Sequence, residues 1–135
     1  MAFSAKTIRK QLALLRPLLE STSLETARRA QEKIGELMGS MSKGKVIFRE
    51  HCFGEYSGAW SIPKDERRQG VILYLHGGGF TCGEIEYAKG FGSTLAIECG
   101  VKVFSVAYRL APENKFPCAV DDSLEAYRYL LEKGY

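Results

Sequence analysis

Apolar residues in the N-terminal part return at helical spacing. Ile8, Leu12, Leu15 and Leu19 fall at i, i+4, i+7 and i+11, the signature of one buried helix face. Pro17 would kink this helix or end it near Arg16, because it lacks an N–H and crowds the preceding turn. A second helix is expected from Thr22-Ser23-Leu24-Glu25, which has capping-box spacing. It runs through Ala27, Ile34, Leu37 and Met38, with Gly39 as its stop. Gly39 to Gly44 is polar and glycine-flanked, and reads as a linker.

The period then changes. Lys45 to Phe53 and Glu55 to Ile62 are rich in β-branched and aromatic residues, and predict a hairpin at a sheet edge that turns near Gly54. After the charged loop of residues 64–70, Val71 to Leu75 is continuously apolar, as strands buried on both faces are. A helix is expected from about Glu86 to Cys99, with Tyr87, Phe91 and Leu95 on one face and Gly100 as its stop. Val101 to Ala107 is another buried strand. The last helix has Pro117 in its first turn, Asp121 and Asp122 near its positive end and Lys133 near its negative end. Its apolar stripe is Val120, Leu124, Tyr127 and Leu131, and Gly134 closes it. Strand, helix, strand, helix from residue 71 onward implies α/β architecture with a parallel sheet. Residues 1–42 therefore read as N-terminal helices and linker, and residues 43–135 as the body.

Composition narrows the function classes. A chain of 135 residues, 45% hydrophobic and 26% charged, is ordinary for a single soluble domain. The net charge of +3 comes entirely from residues 1–42, where seven Lys/Arg face four Asp/Glu. Solvated helix faces account for that excess, with a weak attraction to anionic membrane surfaces as the alternative; no nucleic-acid partner is expected. Cys52, Cys82, Cys99 and Cys118 are widely spaced, form no C-x-x-C pair, and find only His51 and His76 as potential co-ligands. Free thiols in a reducing cytoplasm and no metal site are the expectation. The apolar stretch at Leu12 to Leu15 is cut by Arg16, so it does not resemble a secretory signal. Nothing approaches the roughly 20 apolar residues of a membrane span, and no stable membrane insertion is expected.

The chemistry-bearing feature is His76-Gly77-Gly78-Gly79-Phe80, between a strand and a helix. Glycine runs at that junction have three common uses. Phosphate binding fits poorly: the Walker pattern needs Lys-Ser/Thr where Glu84-Ile85 stand, and Cys82 occupies the third glycine of the dinucleotide fingerprint. A structural turn needs fewer than three consecutive glycines, each of which costs about 0.5–1 kcal/mol of conformational entropy in regular structure. The third use is an oxyanion hole, in which backbone N–H groups meet the negative charge of an acyl-transfer transition state. Glycine removes the Cβ atoms that would obstruct the approach.

Together with Tyr108-Arg109-Leu110-Ala111-Pro112-Glu113-Asn114-Lys115-Phe116-Pro117 and Ala119-Val120-Asp121-Asp122, this loop resembles the hormone-sensitive-lipase-like branch of the α/β-hydrolases, which includes many bacterial carboxylesterases. The resemblance covers about residues 45–135, and the two N-terminal helices resemble that family's cap. It implies a partial α/β-hydrolase sheet, with an antiparallel hairpin followed by parallel strands and crossover helices. It also implies that Gly78 and Gly79 are the oxyanion donors, that Gly77 shapes the turn, and that His76 is structural rather than a catalytic base. The fork of Arg109 suits a carboxylate from Asp121, Asp122 or Glu113, pinning the loop beneath the site.

None of the ten serines has glycine at both −2 and +2, so the family's G-x-S-x-G is not in this sequence, and no histidine follows His76. The triad is expected beyond Tyr135, which makes the chain the N-terminal part of a serine carboxylesterase acting on small-molecule esters without a cofactor. Val71 to Leu75 would then lack its neighbouring nucleophile strand, and self-association through that exposed strand edge is expected. The alternatives are a hydrolase-derived binding or regulatory protein without turnover and, third, a peripheral membrane module built on the basic N-terminal helix.

Overall fold

The structure, a computed structural model, describes residues 22–135. The helix expected over Ile8 to Leu19 lies outside the described residues. The first described helix, α1, spans Leu24–Met41. Its N-cap is Ser23, whose hydroxyl accepts from the Thr26 N–H at 3.2 Å, so the cap sits one residue later than the Thr22–Glu25 spacing implied. Glu25 instead pairs with Arg29 one turn on. The helix also runs past Gly39, which does not adopt the left-handed conformation of a glycine stop. Ser42 ends it, with its N–H bonded to the Met38 and Gly39 carbonyls and its hydroxyl 2.7 Å from that of Ser93. The expected linker is thus mostly last turn and buried cap.

Strands β1 (Val46–Cys52) and β2 (Ser57–Pro63) form the expected hairpin, with Phe53 N–H closing onto the Tyr56 carbonyl and Gly54 at φ +105° in the turn. β3 (Val71–Leu75), helix α2 (Ile85–Cys99) and β4 (Lys102–Ala107) form a parallel unit, and helix α3 (Cys118–Glu132) follows. Gly100, left-handed at φ +63°, ends α2 as its position predicts. The sheet order is β1-β2-β4-β3, with β2 antiparallel to β4. This is a partial α/β-hydrolase sheet with β1 and β3 at its edges.

The two faces of the sheet are packed differently. Toward α2 the sheet presents Ala59, Ser61, Val103 and Ser105, all fully buried, and α2 answers with Ala88, Gly92, Ser93 and Ala96. A Cβ on Gly92 would overlap the Ser105 hydroxyl, so the helix lies almost on the strands. Toward α3 the gap is filled by large side chains: Phe104, Val106, Tyr56, Tyr108 and Leu110, with Trp60, Phe53 and Tyr129 around them.

Two expectations of burial fail. β3 is apolar but not buried on both faces; its residues are half-buried and Leu75 is 46% exposed, because among the described residues only β4 pairs with it. On α3 the buried positions are Asp122, Ala126 and Leu130, while Val120, Leu124, Tyr127 and Leu131 are 42–51% exposed. The Arg109–Asp122 ion pair and the small Ala126 set the rotation of the helix, and its apolar stripe faces sideways.

Candidate active site

The glycine loop leaves the C-terminal end of β3. His76 is buried and stacked on Tyr108, with ring centroids 4.2 Å apart and planes 7° from parallel. Its Nδ1 lies 3.0 Å from the Gly77 carbonyl, a contact that puts the proton on Nδ1. Burial pushes its pKa down, so the ring is neutral at physiological pH. The Tyr108 hydroxyl donates to the His76 carbonyl at 2.6 Å. His76 therefore sits under the loop as a packed, hydrogen-bonded plate. No carboxylate among the described residues orients its ring, as a general base would require.

Above it the chain folds back on itself. Gly78 (φ +144°), Gly79 (φ +63°), Phe80 (φ +60°) and Gly83 (φ +102°) all take conformations that ordinary residues avoid. The Gly78 carbonyl accepts from the N–H groups of Thr81 and Cys82 at 3.2 and 3.1 Å. A Cβ at Gly78 would overlap the Cys82 carbonyl, and one at Gly83 would overlap the His76 ring. At Gly79 an added Cβ meets nothing nearer than the Thr81 hydroxyl at 4.0 Å. Gly77 differs from all of these: its φ is not left-handed and a Cβ there touches nothing. The backbone demands glycine at Gly78 and Gly83 and makes no such demand at Gly77. The N–H groups of Gly78 and Gly79 donate to no acceptor among the described residues.

A second loop, residues 108–117, braces the first. Arg109 grips Asp122 through Nε at 3.1 and 3.2 Å and Nη2 at 2.7 Å, and its backbone N–H adds a bond of 2.9 Å. Asp122 is 1% exposed, and its hydrogen bonds hold the Arg109 pKa above its already high ordinary value. Of the three expected carboxylates, Asp122 is the partner. Asp121 is exposed in the first turn of α3, and Glu113 is engaged elsewhere. Glu55, from the hairpin turn, supplies a second carboxylate to Arg109 that the sequence did not suggest. Between the loops, the Ala111 N–H donates to the Phe80 carbonyl at 2.8 Å. Phe80, Ala111, Phe116, Pro117 and Val120 line most of an apolar cavity of about 400 Å³ beside the glycine loop.

The start of α2 is not free for a phosphate. The Glu32 carboxylate reaches across from α1 and accepts from the N–H groups of Glu84, Glu86 and Tyr87 at 2.9–3.2 Å. Arg28, one turn earlier on α1, donates to Thr81, Ala111 and Glu113. Sequence reasoning passed over both residues as surface charges; their i, i+4 spacing, continued by the buried Gly35, is the signal that marks one contact face. Among the described residues the four cysteines are unpaired, no cluster of potential metal ligands forms, and no helix is long and apolar enough to cross a membrane.

Comparison with known proteins agrees with this geometry. The α/β-hydrolase-fold family matches residues 72–134. An acetyl-hydrolase of Streptomyces hygroscopicus is 35% identical over 133 residues, covering 92% of this chain and 42% of its own length. An ethyl acetate hydrolase of Pseudomonas putida is 47% identical over 64 residues, 47% of this chain and 20% of its own. The crystal structure of an esterase from the bacterial hormone-sensitive lipase family superposes with a TM-score of 0.73 at 30% identity, covering all of this chain and 45% of its own. The chain thus spans less than half the length of the relatives it matches. It belongs to the hormone-sensitive-lipase-like branch of the α/β-hydrolases and corresponds to the N-terminal portion of that fold.

Proposed function

We propose that the glycine loop is the oxyanion hole of a serine carboxylesterase, with the N–H groups of Gly78 and Gly79 as donors. The observation that carries this reading is the pair of amides without an acceptor among the described residues, at the C-terminal end of a parallel strand and unobstructed by Cβ atoms. Ester hydrolysis passes through a tetrahedral intermediate whose former carbonyl oxygen carries full negative charge. Two fixed amides stabilise that charge without reorganising. His76, neutral and packed beneath, keeps the loop in shape, and the Arg109–Asp122 pair holds the bracing loop. The cavity beside Phe80 suits the apolar part of a small ester.

On this reading the nucleophilic serine and its Asp/Glu–His partners lie outside these 135 residues, since none of the ten serines stands in G-x-S-x-G. The edge of β3 left unpaired among the described residues is the surface that a segment carrying them would cover. A chain without that cover should self-associate through the edge. The present chain alone should therefore not hydrolyse p-nitrophenyl acetate above a heat-denatured control. Turnover that a serine-directed inhibitor abolishes would overturn the incomplete-site reading. In a form carrying the nucleophile, Gly79→Val should lower kcat by about 10²–10³, the usual effect of losing one oxyanion donor, while most of the protein stays folded. Unchanged kcat in folded protein would sink the donor assignment.

A further inference from the structure

We propose that Arg28 is the positioning residue of the glycine loop, fixing from α1 the direction in which the Gly78 and Gly79 N–H groups point. Its Nε donates to the Thr81 carbonyl at 2.7 Å, on the limb of the loop that returns from the glycines. Nη2 donates to the Ala111 carbonyl at 2.8 Å, and the fork closes on both Glu113 oxygens at 2.9 and 2.8 Å. One planar group thus clamps the glycine loop to the loop of residues 108–117. It does so beside the Ala111–Phe80 backbone bond that joins the same two segments.

The loop needs such a clamp. Glycines lose more conformational freedom on ordering than other residues, and four of the six residues from Gly78 to Gly83 sit at positive φ. Within those residues the backbone is tied by the turn onto the Gly78 carbonyl. A guanidinium offers donors in a rigid fork, whereas a lysine ammonium is a single point charge on a flexible stem. The Arg28 side chain is 18% exposed, and its ion pair pulls the Glu113 pKa down to about 2, so the clamp stays charged at any physiological pH.

The simpler reading makes Arg28 an anchor for α1 alone. But α1 has three other anchors: Glu32 on the α2 amides, Gly35 against the backbone of Glu86 and Tyr87, and Ser42 on Ser93. Loss of Arg28 should therefore free the loop while leaving α1 docked, and this separates the two readings. The proposal draws its catalytic meaning from the oxyanion reading, yet its test requires no nucleophile, so each can fail alone.

The test is amide exchange and 1H–15N spectroscopy on the full chain carrying R28Q, R28K or E113Q. In R28Q the Gly78 and Gly79 resonances should shift or broaden, and exchange across residues 77–83 should accelerate by about tenfold or more, as expected for losing charge-assisted bonds. Exchange in α1 near Gly35 and in β4 should not change. R28K, which keeps the charge but not the fork, should fall between. E113Q, which leaves α1 untouched, should move the same resonances in the same direction. Unmoved glycine resonances in both R28Q and E113Q would overturn the proposal. So would release of α1 with the loop unchanged, or a loss of protection that extends to β4.

Discussion

Gly77, Gly78 and Gly79 are identical as side chains, but the backbone asks different things of them. At Gly78 a methyl group would drive into the Cys82 carbonyl at a left-handed φ, so the turn itself needs glycine. At Gly77 neither restriction holds. Gly78→Ala should destabilise the chain by roughly 2–4 kcal/mol, combining backbone strain with a clash against main chain. Gly77→Ala should change stability by no more than about 0.5 kcal/mol, as for surface substitutions free of special features. Urea unfolding of the two variants measures both, and equal losses would contradict the division of roles drawn here. His76 belongs to the same unit. Its desolvated ring fills the space under Gly83, which is why a histidine beside a glycine run need not be a base.

At the scale of elements, periodicity located the helices and strands well but misjudged which faces they bury. On α3 the apolar stripe Val120, Leu124, Tyr127 and Leu131 was the natural core face, yet the helix turns Asp122, Ala126 and Leu130 inward. A hydrophobic pattern cannot register a buried carboxylate, because the arginine that neutralises it lies on another segment. Ala126→Leu should therefore cost about 1–3 kcal/mol by overpacking the cluster around Phe104, whereas Leu124→Gln should stay within about 0.5 kcal/mol. Thermal unfolding in dilute solution checks the ordering, and the reverse order would restore the stripe as the core face. The same blindness hid Arg28 and Glu32. Each looks like a solvated helix charge until the fold brings the Thr81 carbonyl and the α2 amides within reach. What was legible rested on local backbone demands: the hairpin at Gly54, the stop at Gly100 and the glycine run itself. The cap of α1 slipped by one residue because Thr22 and Ser23 both suit an N-cap and only packing chooses between them.

At the scale of the whole molecule, the sheet leaves one apolar strand open at its edge. β3 pairs only with β4, so its outer edge carries unpaired N–H and C=O groups among the described residues. Val71 and Leu73 pack against the cluster that holds Ala126 and Leu130, which ties β3 to the core under α3. Apolar positions of both elements remain uncovered: Leu75 at the end of the strand, and Leu124 and Leu131 along the helix. An apolar strand with an open edge favours pairing with another strand, since both backbone bonds and buried area are gained at once. A second copy can supply both if two β3 strands pair antiparallel about a twofold axis, which sets the two α3 helices on the same face of a continuous sheet. Light scattering after size exclusion should then give a mass above the monomer that grows as the protein is raised toward about 100 µM, within the range where exposed edges associate. Leu75→Lys puts a charge at that edge without entering the core, and should shift the population back toward monomer. A wild-type chain that stays monomeric throughout that range would show that the edge of β3 is closed in solution.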